Sequence, residues 1–348
     1  MSTLNQNIDT KHFGIANRRY IGNKNKLMPW ISELIRDNTQ GTSFFDVFAG
    51  TGSVTEWELS DFETFHINDF LYSNEIVFKA FFGNEEYNPE RLDKLAAEYT
   101  QINEKRDDDD YFVTQYGDKF FSHNDAIKIG EIRERIQRDT SLNDRERSIL
   151  LASLVYSADR VANTVGHYDA YRKLSDMPDR FVFGLITPEQ TTGKDINIYR
   201  RDANELVRKI NADVVFLDPP YNSRQYSRFY HVLEAIVKWD KPQLFGVAMK
   251  PKAENMSDYS KTSAPKAFDD LIQNIHGRYI VVTYNNTYEN ANSSSSRNKI
   301  THDQILNSLN SVGKTQVFNQ NYKSFNAGNT DLGGHKEFVF ITEVTSHG

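Results

Sequence analysis

The chain of 348 residues contains no cysteine. That excludes disulfides, thiolate metal sites and thiol nucleophiles, and it fits a reducing compartment. No run of 18 apolar residues occurs, so no membrane-spanning helix is expected. The first residues, MSTLNQNIDTKHFG, lack an apolar stretch of signal-peptide type. Together these features predict a cytoplasmic protein. An excess of positive charge is also missing: the formal net charge is −7. This weighs only lightly against nucleic-acid binding, which depends on local basic patches. Such patches exist at Arg18-Arg19 with Lys24 and Lys26, at Arg133 to Arg147, and at Arg224 with Arg228. The alternation of Arg with Glu between 133 and 147 reads as a salt-laced helix face in preference to a DNA-contacting one.

Aromatic residues are abundant, with 18 Tyr, 23 Phe and 3 Trp, enough for a sizeable core. Apolar strand patterns recur at 43–48, 64–67, 195–199, 213–217 and 278–284, separated by helical spacing. Alternating strands and helices predict an α/β fold with a doubly wound sheet. Segments 316–322 and 337–342 are expected to close it as an antiparallel pair. The polar residues 1–17 are expected to be loose, and the serine-rich run 290–298 to form a flexible loop. Residues 85–194 differ in character, being charged and mostly helical. They read as an insertion facing a substrate, which leaves 1–84 and 195–348 as the catalytic domain.

Two sequence motifs point to chemistry. Asp46-Val47-Phe48-Ala49-Gly50-Thr51-Gly52 places glycines where a buried strand turns into a helix, so that backbone can approach a ligand. Asp46, just before the turn, suits an ammonium group and repels phosphate. Asp69, at the end of the next strand, suits the two hydroxyls of a ribose. An amino-acid-bearing nucleoside satisfies both carboxylates; a dinucleotide does not. The second motif is Asp218-Pro219-Pro220-Tyr221, after an apolar strand. Its prolines end the ladder and donate no hydrogen bonds. The turn therefore offers acceptors, the Asp218 carboxylate and the Pro219 carbonyl, beside the flat ring of Tyr221. This combination suits a planar heterocycle carrying an amino group. Tyr284 and Asn285 end a strand at the same sheet edge and are either pocket-lining or an ordinary loop start.

These motifs, with Tyr20-Ile21-Gly22-Asn23-Lys24 near the start, resemble the D12, or Dam-like, class of adenine-N6 DNA methyltransferases. The order of amino-terminal motif, cofactor motif, long insertion and catalytic motif resembles the alpha arrangement. The runs 218–234 and 159–171 resemble a branch of restriction–modification enzymes. The second glycine of the family's amino-terminal motif is replaced here by Asn23. The resemblance implies a Rossmann-like methyltransferase sheet, S-adenosylmethionine as cofactor, and an inserted target-recognition region over 85–194. It implies that Tyr20 and Lys24 touch the cofactor, and that Asp46 and Phe48, beside Gly50 and Gly52, line its methionine end. Asp69 would bind the ribose, and Asp202 sits where relatives carry a cofactor-site carboxylate. Asp218 and Pro219 would accept from the adenine N6, next to Pro220, with Tyr221 stacked on the base.

Asn163, His167 and Tyr168 either contact DNA or shape a turn, and Arg224, Gln225 and Arg228 either reach DNA or remain solvated. No metal-ligand pattern surrounds His167. The implied partners are double-stranded DNA and a functionally linked restriction endonuclease, for a prokaryotic or viral protein acting as a monomer. Two other readings remain: methylation of RNA or a protein amide, and a catalytically silent nucleic-acid-binding module.

Overall fold

A computed structural model describes residues 12–102, 110–221, 223, 225–286, 299–321 and 336–345. The chain begins with β1 (His12–Phe13), α1 (Met28–Asn38), β2 (Ser43–Asp46), α2 (Ser53–Glu58), β3 (Thr64–Asn68) and α3 (Tyr72–Phe82). Four further helices follow: α4 (Pro89–Thr100), α5 (Tyr111–Tyr116), α6 (His123–Arg138) and α7 (Asp144–Val161). Next come β4 (Leu185–Ile186), β5 (Asp195–Tyr199), α8 (Ala203–Val207), β6 (Asn211–Leu217), α9 (Tyr226–Phe229) and α10 (His231–Lys238). The last elements are α11 (Ala264–Gln273), β7 (His276–Asn285), α12 (His302–Asn310), β8 (Gly313–Asn321) and β9 (Lys336–Val344).

Two compact units emerge. One comprises, among the described residues, those within 23–70, 193–227 and 254–345. Its seven-stranded sheet has the order β5-β3-β2-β6-β7-β9-β8. The first five strands are parallel; β9 runs antiparallel to both β7 and β8. This is the α/β sheet that the alternating pattern predicts and the Rossmann-like architecture that the resemblance implies, and the expected carboxyl-terminal antiparallel pair is present. Side chains alternate across the pleat. Phe45, Val47, Val215, Leu217, Ile280 and Val282 share a core with α8, α11 and α12. Their neighbours Phe44, Val214, Phe216 and Val281 are equally buried. Burial on both faces explains why the central strands read as continuous apolar runs. The edge strand β8 instead alternates half-buried and exposed positions.

The chain builds outward from β2 to β3 and β5, then returns to place β6 on the other side of β2. The switch point thus lies between β2 and β6, the crevice position at which open α/β sheets bind ligands. Asp46 pairs in register with Phe216, so Asp218 follows two residues beyond Asp46's partner at the same carboxyl edge. Asn68 fastens this edge. Its amide donates to the carbonyls of Val47 and Arg201 at 3.0 and 3.2 Å, and its oxygen accepts from the Arg201 amide at 3.0 Å. The side chain is 2% exposed. Asn68→Ala should cost about 2–4 kcal/mol of unfolding free energy by stranding buried backbone groups. Urea unfolding checks this.

The other unit comprises residues 12–22, 71–192 and 228–253 among those described. It is mostly helical, as the composition of 85–194 suggests, but it is larger than that segment. The amino-terminal residues, α3 and α10 join it, because the buried faces of α3 and α10 pack on α7. Residues 12–17, expected to be loose, form β1 and a short 3-10 turn; β1 pairs with β4. The salt-laced reading of 133–147 needs correction. The Arg135–Glu131 pair at 2.8 Å fits it, but Arg133 and Arg145 are only 3% and 4% exposed. Arg133 donates to the carbonyls of Ile236 and Val237 at the end of α10, at 2.6 and 3.1 Å. Arg145 does the same for Lys79 and Phe81 at the end of α3. Cations at helix carboxyl ends satisfy orphan carbonyls and the dipole. At the other end of α3, Glu234 accepts from the amides of Tyr72 and Ser73 at 3.0 and 2.8 Å. Among the described residues no helix is long and apolar enough to cross a membrane. The serine-rich run 290–298 lies outside the described residues.

Candidate active site

Two turns meet at the switch point. The first leaves β2 and reaches α2 through Gly50 and Gly52, both left-handed at φ 56° and 84°. A side chain there would be strained. The Gly50 amide donates to an Asp69 carboxylate oxygen at 3.0 Å, so Asp69 is tied to the glycine turn. Asp46, 1% exposed, accepts from the Thr55 hydroxyl through Oδ2 at 2.9 Å. Its Oδ1 is buried without a hydrogen-bond partner. Burial pushes the Asp46 carboxyl up to about 8; the Thr55 bond opposes the rise, while Asp218 and Asp69 add to it. Three carboxylates therefore sense one another here, which favours a positively charged guest. The ring of Phe48 meets Tyr259 edge-on, centroids 5.1 Å apart.

The second turn is Asp218 to Tyr221. Asp218 Oδ1 accepts from the Thr283 hydroxyl at 2.8 Å and lies 3.2 Å from the Lys24 ammonium. Lys24 also lies 3.1 Å from Glu337 Oε1. Burial works against the lysine's charge, but Asp218 and Glu337 outweigh it and hold the proton more firmly than usual. Burial likewise pushes the Glu337 carboxyl up, against the pull of Lys24 and an Asn285 amide bond of 2.8 Å. The Tyr221 hydroxyl donates to the Thr283 carbonyl, and its ring meets Tyr284 edge-on at 5.0 Å. Burial, aided by Asp218 and Glu337, keeps the Tyr221 phenol well above its ordinary range, so it remains a neutral donor. Thr283 thus grips both ends of the Asp218–Tyr221 turn.

Asn23 completes the local frame, accepting from the Asn25 amide at 2.9 Å and the Ser53 hydroxyl at 3.5 Å. Asn23 is thereby tied to Ser53 at the start of α2. Asp202 caps α8, accepting from the Glu205 amide at 3.1 Å. Gln225 is committed at both ends of its amide to Ser257 backbone, at 2.9 and 2.8 Å. Arg224 lies outside the described residues.

The remaining candidates belong to the helical unit. Tyr20 stacks on Tyr230, rings 7° from parallel with centroids 4.8 Å apart, and Arg18 lies against both. Asn163 donates to the carbonyls of Lys119 and Arg172 at 2.9 and 2.7 Å, and Tyr168 donates to Asp159 at 2.9 Å. Both are buried, so the structure places them as braces of the 163–171 turn. His167 stacks on Phe229, centroids 4.6 Å apart, and Arg228 donates to the Pro251 carbonyl at 2.7 Å. Among the described residues no group of three or more His, Cys, Asp or Glu could hold a metal ion.

Sequence reasoning missed Thr283 and Glu337. The available signals were a hydroxyl inside the apolar run 279–284 and a lone carboxylate opening the apolar strand 337–341.

A family model described as D12 class N6 adenine-specific DNA methyltransferase matches residues 20–327. Over 287 residues the chain is 32% identical to modification methylase LlaI of Lactococcus lactis subsp. lactis, covering 77% of this chain and 46% of that protein. It is 34% identical over 290 residues to modification methylase StsI of Streptococcus sanguinis, covering 77% and 44%. It is 32% identical over 340 residues to Type II methyltransferase M.CviAII of Paramecium bursaria Chlorella virus 1, covering 93% and 98%. The chain thus spans less than half of the first two relatives and nearly all of the third. With its match over most of its length, the chain belongs to the D12 class of N6 adenine-specific DNA methyltransferases.

Proposed function

We propose that the protein methylates the N6 amine of an adenine extruded from duplex DNA at a specific sequence, using S-adenosylmethionine, as the modification component of a restriction–modification system. One observation carries this reading: the acceptor-rich Asp218–Tyr221 turn and the glycine turn after Asp46 share the switch point of a single sheet. The names of the relatives, modification methylases and Type II methyltransferases, support it.

The residues present fit the cofactor. The unpartnered Oδ1 of Asp46 awaits a donor, and the ammonium of an amino acid supplies one. Asp69 would take the ribose hydroxyls, and Phe48 would flank the methionine end. Tyr20 and Lys24 are proposed contacts by family resemblance, and Asp202 would assist from its cap position. When bound, S-adenosylmethionine supplies an electrophilic methyl group on a sulfonium sulfur.

The chain's own residues prepare the acceptor. The lone pair of the adenine amine is delocalised into the ring. The Asp218 carboxylate and the Pro219 carbonyl accept its two hydrogens and favour a pyramidal nitrogen with a localised pair. Fixed acceptors facing developing positive charge act as an oxyanion hole does, with the sign reversed. Because Lys24 and Thr283 both engage Oδ1, Oδ2 is left to the amine. Pro220 stiffens the turn, and Tyr221, fixed by Thr283 and Tyr284, presents its ring to the base. Extrusion costs a few kcal/mol, of which stacking returns about 1–3 kcal/mol.

Within this proposal, residues 85–194 supply target recognition and His167 and Arg228 are the candidate DNA contacts. The protein acts as a cytoplasmic monomer whose link to an endonuclease is functional. RNA and protein-amide methylation are tested by tritium transfer. Label should pass to unmethylated duplex plasmid DNA and not to RNA or protein; label in RNA alone contradicts the proposal.

A further inference from the structure

We infer that Glu337 is a positioning residue for Asp218, acting through Lys24. The inference rests on the proposed role of Asp218 as acceptor at the adenine N6. Glu337 is 1% exposed at the start of β9, directly opposite Asn285 in the ladder. The Asn285 amide donates to one of its oxygens at 2.8 Å, and the other forms an ion pair with the Lys24 ammonium at 3.1 Å without a well-aligned hydrogen bond. The same ammonium reaches Asp218 Oδ1 at 3.2 Å. A line of fixed groups therefore runs from the β7–β9 ladder to the catalytic carboxylate.

Charge gives the arrangement its point. Two carboxylates share one lysine, so the trio carries one net negative charge. With Asp218 as its sole partner, Lys24 would neutralise the carboxylate that must accept from the amine. It would also be free to swing the carboxylate out of line. Glu337 takes part of the lysine's charge and fixes its position, so Asp218 is held in place yet remains a strong acceptor. A deeply buried carboxylate is a poor way to gain stability, since its desolvation offsets most of the attraction. Its placement beside the catalytic turn is explained by the reaction.

The test uses the full chain, unmethylated plasmid DNA and purified cofactor. Glu337→Gln keeps the shape and removes the charge. It should lower kcat about 30- to 100-fold while KM for DNA stays within about threefold. Calorimetric affinity for S-adenosylhomocysteine should also stay within about threefold of wild type. Glu337→Asp should recover part of the rate. In a Lys24→Met background, Glu337→Gln should cost less than about threefold more, because both act through one contact. If Glu337→Gln fails to fold, Asn285→Ala, which frees one Glu337 oxygen, should lower kcat about fivefold with KM unchanged. A Glu337→Gln kcat close to wild type, a loss confined to thermal stability, or full additivity with Lys24→Met overturns the inference. Wild-type protein that leaves duplex adenine unmethylated overturns the proposed function, and this inference with it, before any variant is compared.

Discussion

Asp218→Ala is expected to lower kcat at least about 10³-fold, since it removes an acceptor aimed at charge that develops in the transition state. The fold should survive. Lys24 keeps Glu337 as a partner at 3.1 Å, so no uncompensated cation is left in the interior. The Tyr221–Thr283 bond and the Tyr221–Tyr284 contact do not involve the lost carboxylate. Nor do the glycine turn, Asp46 and Asp69. Binding of S-adenosylhomocysteine should therefore remain measurable by calorimetry. Asp218→Asn retains one acceptor oxygen but weakens it, and should fall between alanine and wild type. Near-normal turnover by Asp218→Ala in a single-turnover assay would remove the Asp218–Tyr221 turn from the chemistry.

The second large effect concerns Asp46 and carries a definite sign with pH. In the ligand-free fold its carboxyl is raised from 3.8 to about 8. Below 3.8 both folded and unfolded chains hold the proton, and the full contribution to stability is present. As pH rises, the unfolded chain releases it while the fold resists, so stability drains away until the folded value is passed. Asp46→Asn, which cannot ionise, should match wild type near pH 4 and exceed it by about 1–3 kcal/mol at pH 8.5. The gain stays below the value of the full shift because an amide also strands an acceptor or donor in this pocket. Denaturant unfolding at the two pH values checks the crossover. The same variant should bind S-adenosylmethionine about 100-fold more weakly, through loss of a charge-assisted hydrogen bond to its ammonium. Wild-type affinity should climb with pH toward about 8, by at most tenfold per unit, with proton release visible as buffer-dependent heats. An affinity flat across that range would detach Asp46 from the cofactor. Stability surrendered for a charged, half-satisfied site is a common feature of binding pockets.

The sheet-bearing unit is the more legible part of this sequence. Central strands buried on both faces announce themselves as apolar runs, and each run here ends on a chemically loaded residue: Asp46, Asn68-Asp69, Asp218, Asn285. The edge strand β8, Gly313–Asn321, has no such run, and its pairing follows from β9. Thr283 and Glu337 were hidden for a different reason. Their value lies in contacts to residues 65 to more than 300 positions away, through a register that places β9 between β7 and β8. No local period encodes such a contact. Asn163 and Tyr168 show the converse. Polar residues in a charged segment suit either a contact surface or a turn, and their side-chain hydrogen bonds go to Lys119, Arg172 and Asp159, which flank the turn or lie far from it in sequence. The helical unit takes in α3 and α10, which pack on α7 across long separations in sequence. Val77, Phe78, Phe81 and Phe82 of α3 are all buried, and they find α7.

The central claim is that an adenine N6 in duplex DNA receives the methyl group at a site built around Asp218. Sequencing that reads modified bases directly, applied to DNA from cells expressing wild type and Asp218→Ala, tests it in one experiment. N6-methyladenine confined to a single sequence context in the first sample, and missing from the second, is the predicted result. Methylated cytosine in place of adenine, or equal adenine methylation in both samples, would contradict it.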